Sequence, residues 1–225
     1  MGIRQRVKNL LDDLPLGADI YWQLRGKRKP WSAHYELEGL KAVLPQALVD
    51  LKAGSSSRTE PKKVCLFASL HYWIEESALI GLALAGQGHS VNLAYLPYAE
   101  WDKDISPFDL RRQDLYTREV FADAKDFLRL TSLSDKEYPA ESLPADVLQA
   151  VEQVSDYDTQ YTLQVEETDK NSALYRLRYA RNLQAAGALY AWLKSEQPDV
   201  LIVPNGTILE MGVAYRVARL LGLRV

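Results

Sequence analysis

Residues 61–97 read as strand, helix, strand, and few folds accommodate that order. Val64-Cys65-Leu66-Phe67-Ala68 is a short, wholly apolar run. Such a run marks a strand buried on both faces, as in parallel sheets. Polar Glu60-Pro61-Lys62-Lys63 precedes it. Ser69-Leu70-His71-Tyr72-Trp73 follows as a loop. The next stretch predicts a helix with Leu79, Leu82, Ala83 and Leu84, stopping at Gly86-Gln87-Gly88. Residues 91–96 (Val-Asn-Leu-Ala-Tyr-Leu) supply a second strand. A strand–helix–strand unit of this kind implies a parallel, right-handed α/β arrangement.

Ligands of such sheets sit outside the carboxyl ends of the strands, so the stretch from Ser69 to Trp73 is where binding or chemistry is expected. A dinucleotide site needs closely spaced glycines directly after the strand. Here no glycine occurs between the strand and Gly81, and no glycine-rich loop ends in Lys-Ser/Thr. The first turn was not built to hold NAD or ATP.

The 225 residues suffice for one α/β domain with an appendage. Net charge is −3, which suggests no nucleic-acid partner. Residues 1–30 nevertheless carry seven Lys/Arg against three Asp, while residues 100–170 are acidic. The lone cysteine, Cys65, lies in a predicted buried strand, can form no internal disulfide, and fits a reducing, cytoplasmic setting. No run of 18 apolar residues is present, and the N-terminus lacks the apolar region of a secretory signal.

Two segments are expected: residues 1–60, a helical and basic N-terminal part with a linker, and residues 61–225, the α/β domain. Ile3, Val7, Leu10, Leu11 and Leu14 predict a short helix, and residues 35–51 a second with Pro45 inside it. Arg25, Lys27, Arg28 and Lys29, flanked by Trp22 and Trp31, read either as a solvated loop or as a patch for the cytoplasmic face of an anionic membrane. There each basic residue contributes about 1 kcal/mol. Residues 53–59 have the composition of a flexible linker. Further helices are expected over 108–124, 148–163 and 172–196. In the last, Tyr179, Leu183, Ala186, Tyr190 and Leu193 form one apolar face. A third strand falls near 126–131 and a fourth at 200–203, followed by a helix to Gly222. Residues 223–225 begin another strand, the pattern of a chain cut from something longer.

Candidate chemistry follows the strand ends. His71, with a pKa near neutrality, is either a general base or a packed loop histidine. Ser69, Tyr72, Trp73 and Glu75 share its loop, although Glu75 and Glu76 also suit the start of a helix. Asn205-Gly206-Thr207 is the second candidate group. Gly206 permits close approach, Asn205 offers a donor and an acceptor, and Thr207 caps the next helix, unless the turn binds nothing. Glu210 follows one turn later. His34 and His89 read as structural, and the three histidines and one cysteine show no metal-ligand spacing. No hydrolase triad can be assembled.

The run Leu82-Ala83-Leu84-Ala85-Gly86-Gln87-Gly88-His89-Ser90-Val91, behind an apolar strand, resembles the amino-terminal domain of GT-B glycosyltransferases. Residues 198–207 (Pro-Asp-Val-Leu-Ile-Val-Pro-Asn-Gly-Thr), with Ala214-Tyr215-Arg216-Val217-Ala218-Arg219, are similar to bacterial capsule or surface-polysaccharide transferases of that fold. The resemblance spans 62–225. It implies a Rossmann-like parallel sheet with helices on both faces, preceded by an N-terminal helical appendage. It also implies that this chain receives a glycan or lipid-linked acceptor. The nucleotide-sugar donor would belong to a second domain, so no cofactor is expected in these residues. His71 lies near where some inverting members keep a catalytic histidine. Ser69, Tyr72, Trp73, Glu75, Asn205, Gly206, Thr207 and Glu210 would bind the acceptor. A sugar-nucleotide epimerase of the same fold, or a non-catalytic binding module, are the alternatives.

Overall fold

The computed structural model describes residues 17–24, 35–54, 60–134 and 142–225. The predicted helix over 3–14, the basic group Arg25, Lys27, Arg28 and Lys29, and linker positions 55–59 lie outside them.

The described chain is α/β. Helix α1 (Gly17–Leu24) and α2 (Glu38–Ala53) come first. Then follow β1 (Lys63–Ser69), α3 (His71–Gly86), β2 (Ser90–Leu96) and α4 (Pro107–Val120). A short 3-10 turn (Ala122–Ala124), β3 (Leu128–Ser132), α5 (Ala145–Leu163), α6 (Ala173–Glu196), β4 (Val200–Ile202) and α7 (Leu209–Leu220) complete it.

The strands pair in the order β3-β2-β1-β4, all parallel. The chain builds outward from β1 through β2 to β3, then returns to lay β4 on the opposite side of β1. That reversal, between β1 and β4, is a topological switch point, where ligands of such sheets are expected beyond the strand carboxyl ends. The Leu201 N–H also donates to the Arg224 carbonyl at 2.8 Å, which ties residue 224 to β4, although 223–225 do not form the strand expected there.

Strand alternation gives the sheet two cores. Cys65, Phe67, Ala94, Leu96 and Leu201 face α5, α6 and α7. Val64, Leu66, Ala68, Val91, Leu93 and Tyr95 face α2, α3 and α4. Each fully buried Leu or Phe contributes about 1.5–3 kcal/mol. Leu40, Leu44 and Leu48 of α2 and Trp22 of α1 belong to the second core, so the described N-terminal helices are packed into the α/β body. Helix α2 runs through Pro45, which lies inside it.

Local chemistry explains the helix boundaries. Ser106 caps α4 ahead of Pro107, accepting from the Asp109 N–H at 3.3 Å. Ser172 caps α6, accepting from the Tyr175 N–H at 3.2 Å. Gly88 takes φ 91° after α3, where a side chain would be strained.

Three expectations need correction. The loop expected over 69–73 is a single residue, because Leu70 turns the chain at φ 70° and α3 already begins at His71. Glu75 and Glu76 therefore sit in the second turn and do not open the helix. Thr207 does not cap α7: Ile208 holds that position without a side-chain cap, and the Asp158 carboxylate accepts the Leu209 N–H instead, at 2.8 Å. Helix α6 buries the face its apolar spacing predicts and more: Ala186 and Leu193 are buried and Tyr179, Leu183 and Tyr190 pack half-buried on the same core, while Arg178, Asn182, Ala185, Leu189 and Trp192 are inside as well.

Candidate functional site at the strand carboxyl ends

Two turns with left-handed backbone flank the switch point. Leu70 follows β1 at φ 70°, and Leu209 opens α7 at φ 59°. Backbone of this kind costs on the order of 1–3 kcal/mol per non-glycine residue and persists only where its surroundings fix it. Both leucines are buried, which anchors them. Next to them lie the two partners of one hydrogen bond, Ser69 Oγ donating to Glu210 Oε2 at 2.8 Å.

Glu210 belongs to a buried charged network. Arg178 donates to Glu210 Oε1 at 2.9 Å and, through Nε, to Asp158 Oδ2 at 3.0 Å. Arg178 and Glu210 are each 1% exposed and Asp158 3%. Asn182 donates to Ser155 Oγ at 3.0 Å and lies 3.4 Å from Asp158 Oδ2. Burial pushes the Glu210 carboxyl up, but Arg178, Arg181 and Ser69 outweigh it and hold the group below its ordinary value. At Asp158 burial prevails over Arg178 and the Leu209 N–H, and the carboxyl lies above its ordinary value. The network ties β1, α5, α6 and α7 together, and every carboxylate in it already has a partner.

The Asn205 group is equally committed. Asn205 Oδ1 accepts the N–H groups of Thr207 and Ile208, at 2.7 and 3.1 Å. Gly206 lies under the Tyr215 ring, where a Cβ would come within 3.3 Å of it. A Cβ on Gly212 would meet the Thr207 backbone at 2.6 Å, so this turn folds tightly over the start of α7.

The ends of β1 and β2 are different. A cleft of about 530 Å³ opens there, lined by Glu36, His71, Ala99, Glu100, Trp101, Asp102 and Lys103. His71 heads α3, and burial lowers its pKa, while Glu75, the Ala99 backbone and Glu36 pull it partly back. Burial therefore favours the neutral ring. Its Nδ1 is enclosed and has no hydrogen-bond partner among the described residues. Tyr35 and Tyr72 meet the imidazole edge-to-face, at 6.0 and 5.1 Å between centroids. Lys103 pairs with Glu100 along the cleft wall.

Of the residues expected to form a site, His71 alone lines this cleft. Ser69 and Glu210 are buried against each other. Glu75 points to α2, where its Oε1 accepts the Leu40 N–H at 2.9 Å and caps that helix. Trp73 packs between the two cores, and Tyr72, 45% exposed, lies beside His71 outside the cleft lining. Asn205, Gly206 and Thr207 sit at the end of β4, in the closed turn.

Sequence reasoning places a loop over 97–102 at the carboxyl end of β2 but names no site residue in it, so Trp101 and Asp102 were missed although their position was the signal; Glu36, just before α2, carried none. Among the described residues no group of three or more His, Cys, Asp or Glu side chains is placed to hold a metal ion, and no helix is long and apolar enough to cross a membrane. No protein-family model matches the chain, and no curated protein matches it at a significant level.

Proposed function

We propose that the His71 cleft binds a hydroxyl-rich, uncharged acceptor, as the acceptor-binding half of a glycosyltransferase of surface-polysaccharide type. One observation carries the reading: a neutral histidine and a tryptophan share an open cleft at the carboxyl ends of β1 and β2. The Trp101 face suits the C–H face of a sugar ring. The carboxylates of Glu36 and Asp102 accept from hydroxyl groups, and a few placed polar groups on an aromatic surface are what such a ligand requires.

In the transfer step an acceptor hydroxyl attacks the anomeric carbon of a nucleotide-sugar. A bond forms from that oxygen to the carbon, the bond to the nucleoside diphosphate breaks, and the hydroxyl proton passes to the His71 imidazole. In the enzymes this chain resembles a second domain holds the donor, so the activity is proposed for a protein that has one. A binding module without catalysis is the second reading. It is favoured by the internal pairing of Glu210, which commits that carboxylate, one of the residues expected to bind the acceptor, to the fold.

Saturation-transfer NMR on the full chain tests the proposal. The probes are maltose and cellobiose, glucosamine, glucose 1-phosphate and UDP-glucose. The neutral disaccharides should give transfer that His71→Gln or Trp101→Ala abolishes, and the phosphates none. Binding of the phosphorylated probes alone would overturn it.

A further inference from the structure

The β2–α4 loop that forms the wall of the cleft has open space on both sides. Residues 99–103 line the His71 cleft, while Tyr98, Asp104 and Ile105 line a second cavity of about 650 Å³ with Leu110, Leu177 and Arg181. A wall between two cavities cannot be held by side-chain packing alone. Its backbone carbonyls turn inward to α6. Arg181 donates to the Glu100 carbonyl at 2.8 Å, to the Trp101 carbonyl at 3.3 Å, and to the Lys103 carbonyl. Arg178 donates to the Trp101 carbonyl at 3.0 Å. The Arg181 guanidinium lies 4.3 Å above the centroid of the Tyr98 ring, which is itself buried.

We infer that Arg181 is a positioning residue for the cleft, fixing the shape of the 99–103 wall through its three carbonyl contacts. The inference rests on the cleft being the binding site only for its functional meaning; the geometry stands without a ligand. Arg178 is committed to Asp158 and Glu210 and has a single bond to the loop. Arg181, 6% exposed, has no carboxylate within ion-pair distance among the described residues, and its hydrogen bonds go to the carbonyls of Glu100, Trp101 and Lys103. The rigid planar fork of the guanidinium spreads its donors over two nitrogens and so holds the three carbonyls in a fixed arrangement, a geometry that the single ammonium nitrogen of lysine does not reproduce.

The loop also encloses His71, so His71 reports on the wall. Glu75 of α3, Glu36 before α2, and Glu100, Asp102 and Lys103 of the loop are the charged groups around the ring. The test is NMR titration of the His71 imidazole in the full chain, its resonance identified by its absence in His71→Gln. In the wild type His71 titrates below the ordinary value of about 6.5. In Arg181→Gln it should move up toward that value while His89 stays unchanged, and amides over 99–103 should exchange at least about tenfold faster. Arg181→Lys should give a smaller shift in the same direction. An unchanged His71 titration in a folded Arg181→Gln protein overturns the inference. So does a failure of both variants to fold, which would make Arg181 a residue of the whole core. No ligand enters the measurement, so failure of the acceptor reading and failure of this one are separately visible.

Discussion

The carboxyl end of β4 is closed, and the carboxyl ends of β1 and β2 are open. At β4, Asn205 spends its side-chain oxygen on Thr207 and Ile208, and Glu210 spends both of its oxygens on Arg178 and Ser69. At β1 and β2, His71 and the 99–103 loop face a cleft, and the loop's carbonyls are satisfied from behind. Both ends carry polar residues after a buried strand, the usual signature of a site. The difference lies in hydrogen-bonding capacity left over. A polar side chain at a strand end is available to a ligand only if its own fold has not used it.

The closed end should break hardest. Arg178→Met leaves the Asp158 and Glu210 carboxylates buried without their cation, which should cost about 3–5 kcal/mol in urea unfolding. An unchanged midpoint would mean that the network is not the lock described. Gly212→Ala forces a Cβ against the Thr207 backbone and should cost about 1–3 kcal/mol by the same measurement. At the open end His71→Gln should change stability by less than about 1 kcal/mol, yet reduce disaccharide binding at least about tenfold by isothermal titration. A large stability loss with intact binding would reverse the assignment of the two ends.

The smallest effect is in pH. Because the folded His71 pKa lies below its ordinary value, the unfolded chain takes up the proton first as pH falls below about 6.5. Stability from this group is present above that pH and is lost down to the folded pKa. Glu210, lowered, adds a loss at more acid pH, while Asp158, raised, acts with the opposite sign. Urea unfolding at pH 7.5 and 5.5 should therefore show a decrease that is smaller in His71→Gln. An identical decrease in both proteins would contradict the assignment.

The strands were legible because Val64-Cys65-Leu66-Phe67-Ala68 and its neighbours are apolar throughout, as burial on both faces demands. His71 was legible by position, since it follows the central strand. The buried arginines of α6 were not, because hydrophobic periodicity assigns Arg178 and Arg181 to solvent, whereas each is buried with its carboxylate or carbonyl partners supplied by distant segments. The status of Asn205 was hidden for a related reason. Its composition is the same whether its amide meets a ligand or the N–H groups two and three residues on. Leu70 could not be foreseen at all: a left-handed turn at leucine runs against local preference and exists because the surrounding core holds it.

The most direct test of the central claim is a 1H–15N shift map of the full chain titrated with cellobiose and maltose. The open-end account predicts shifts at Glu36, His71 and residues 99–103, with Asn205, Gly206 and Thr207 unmoved. Shifts centred on 205–207, or none anywhere with either sugar, would contradict it.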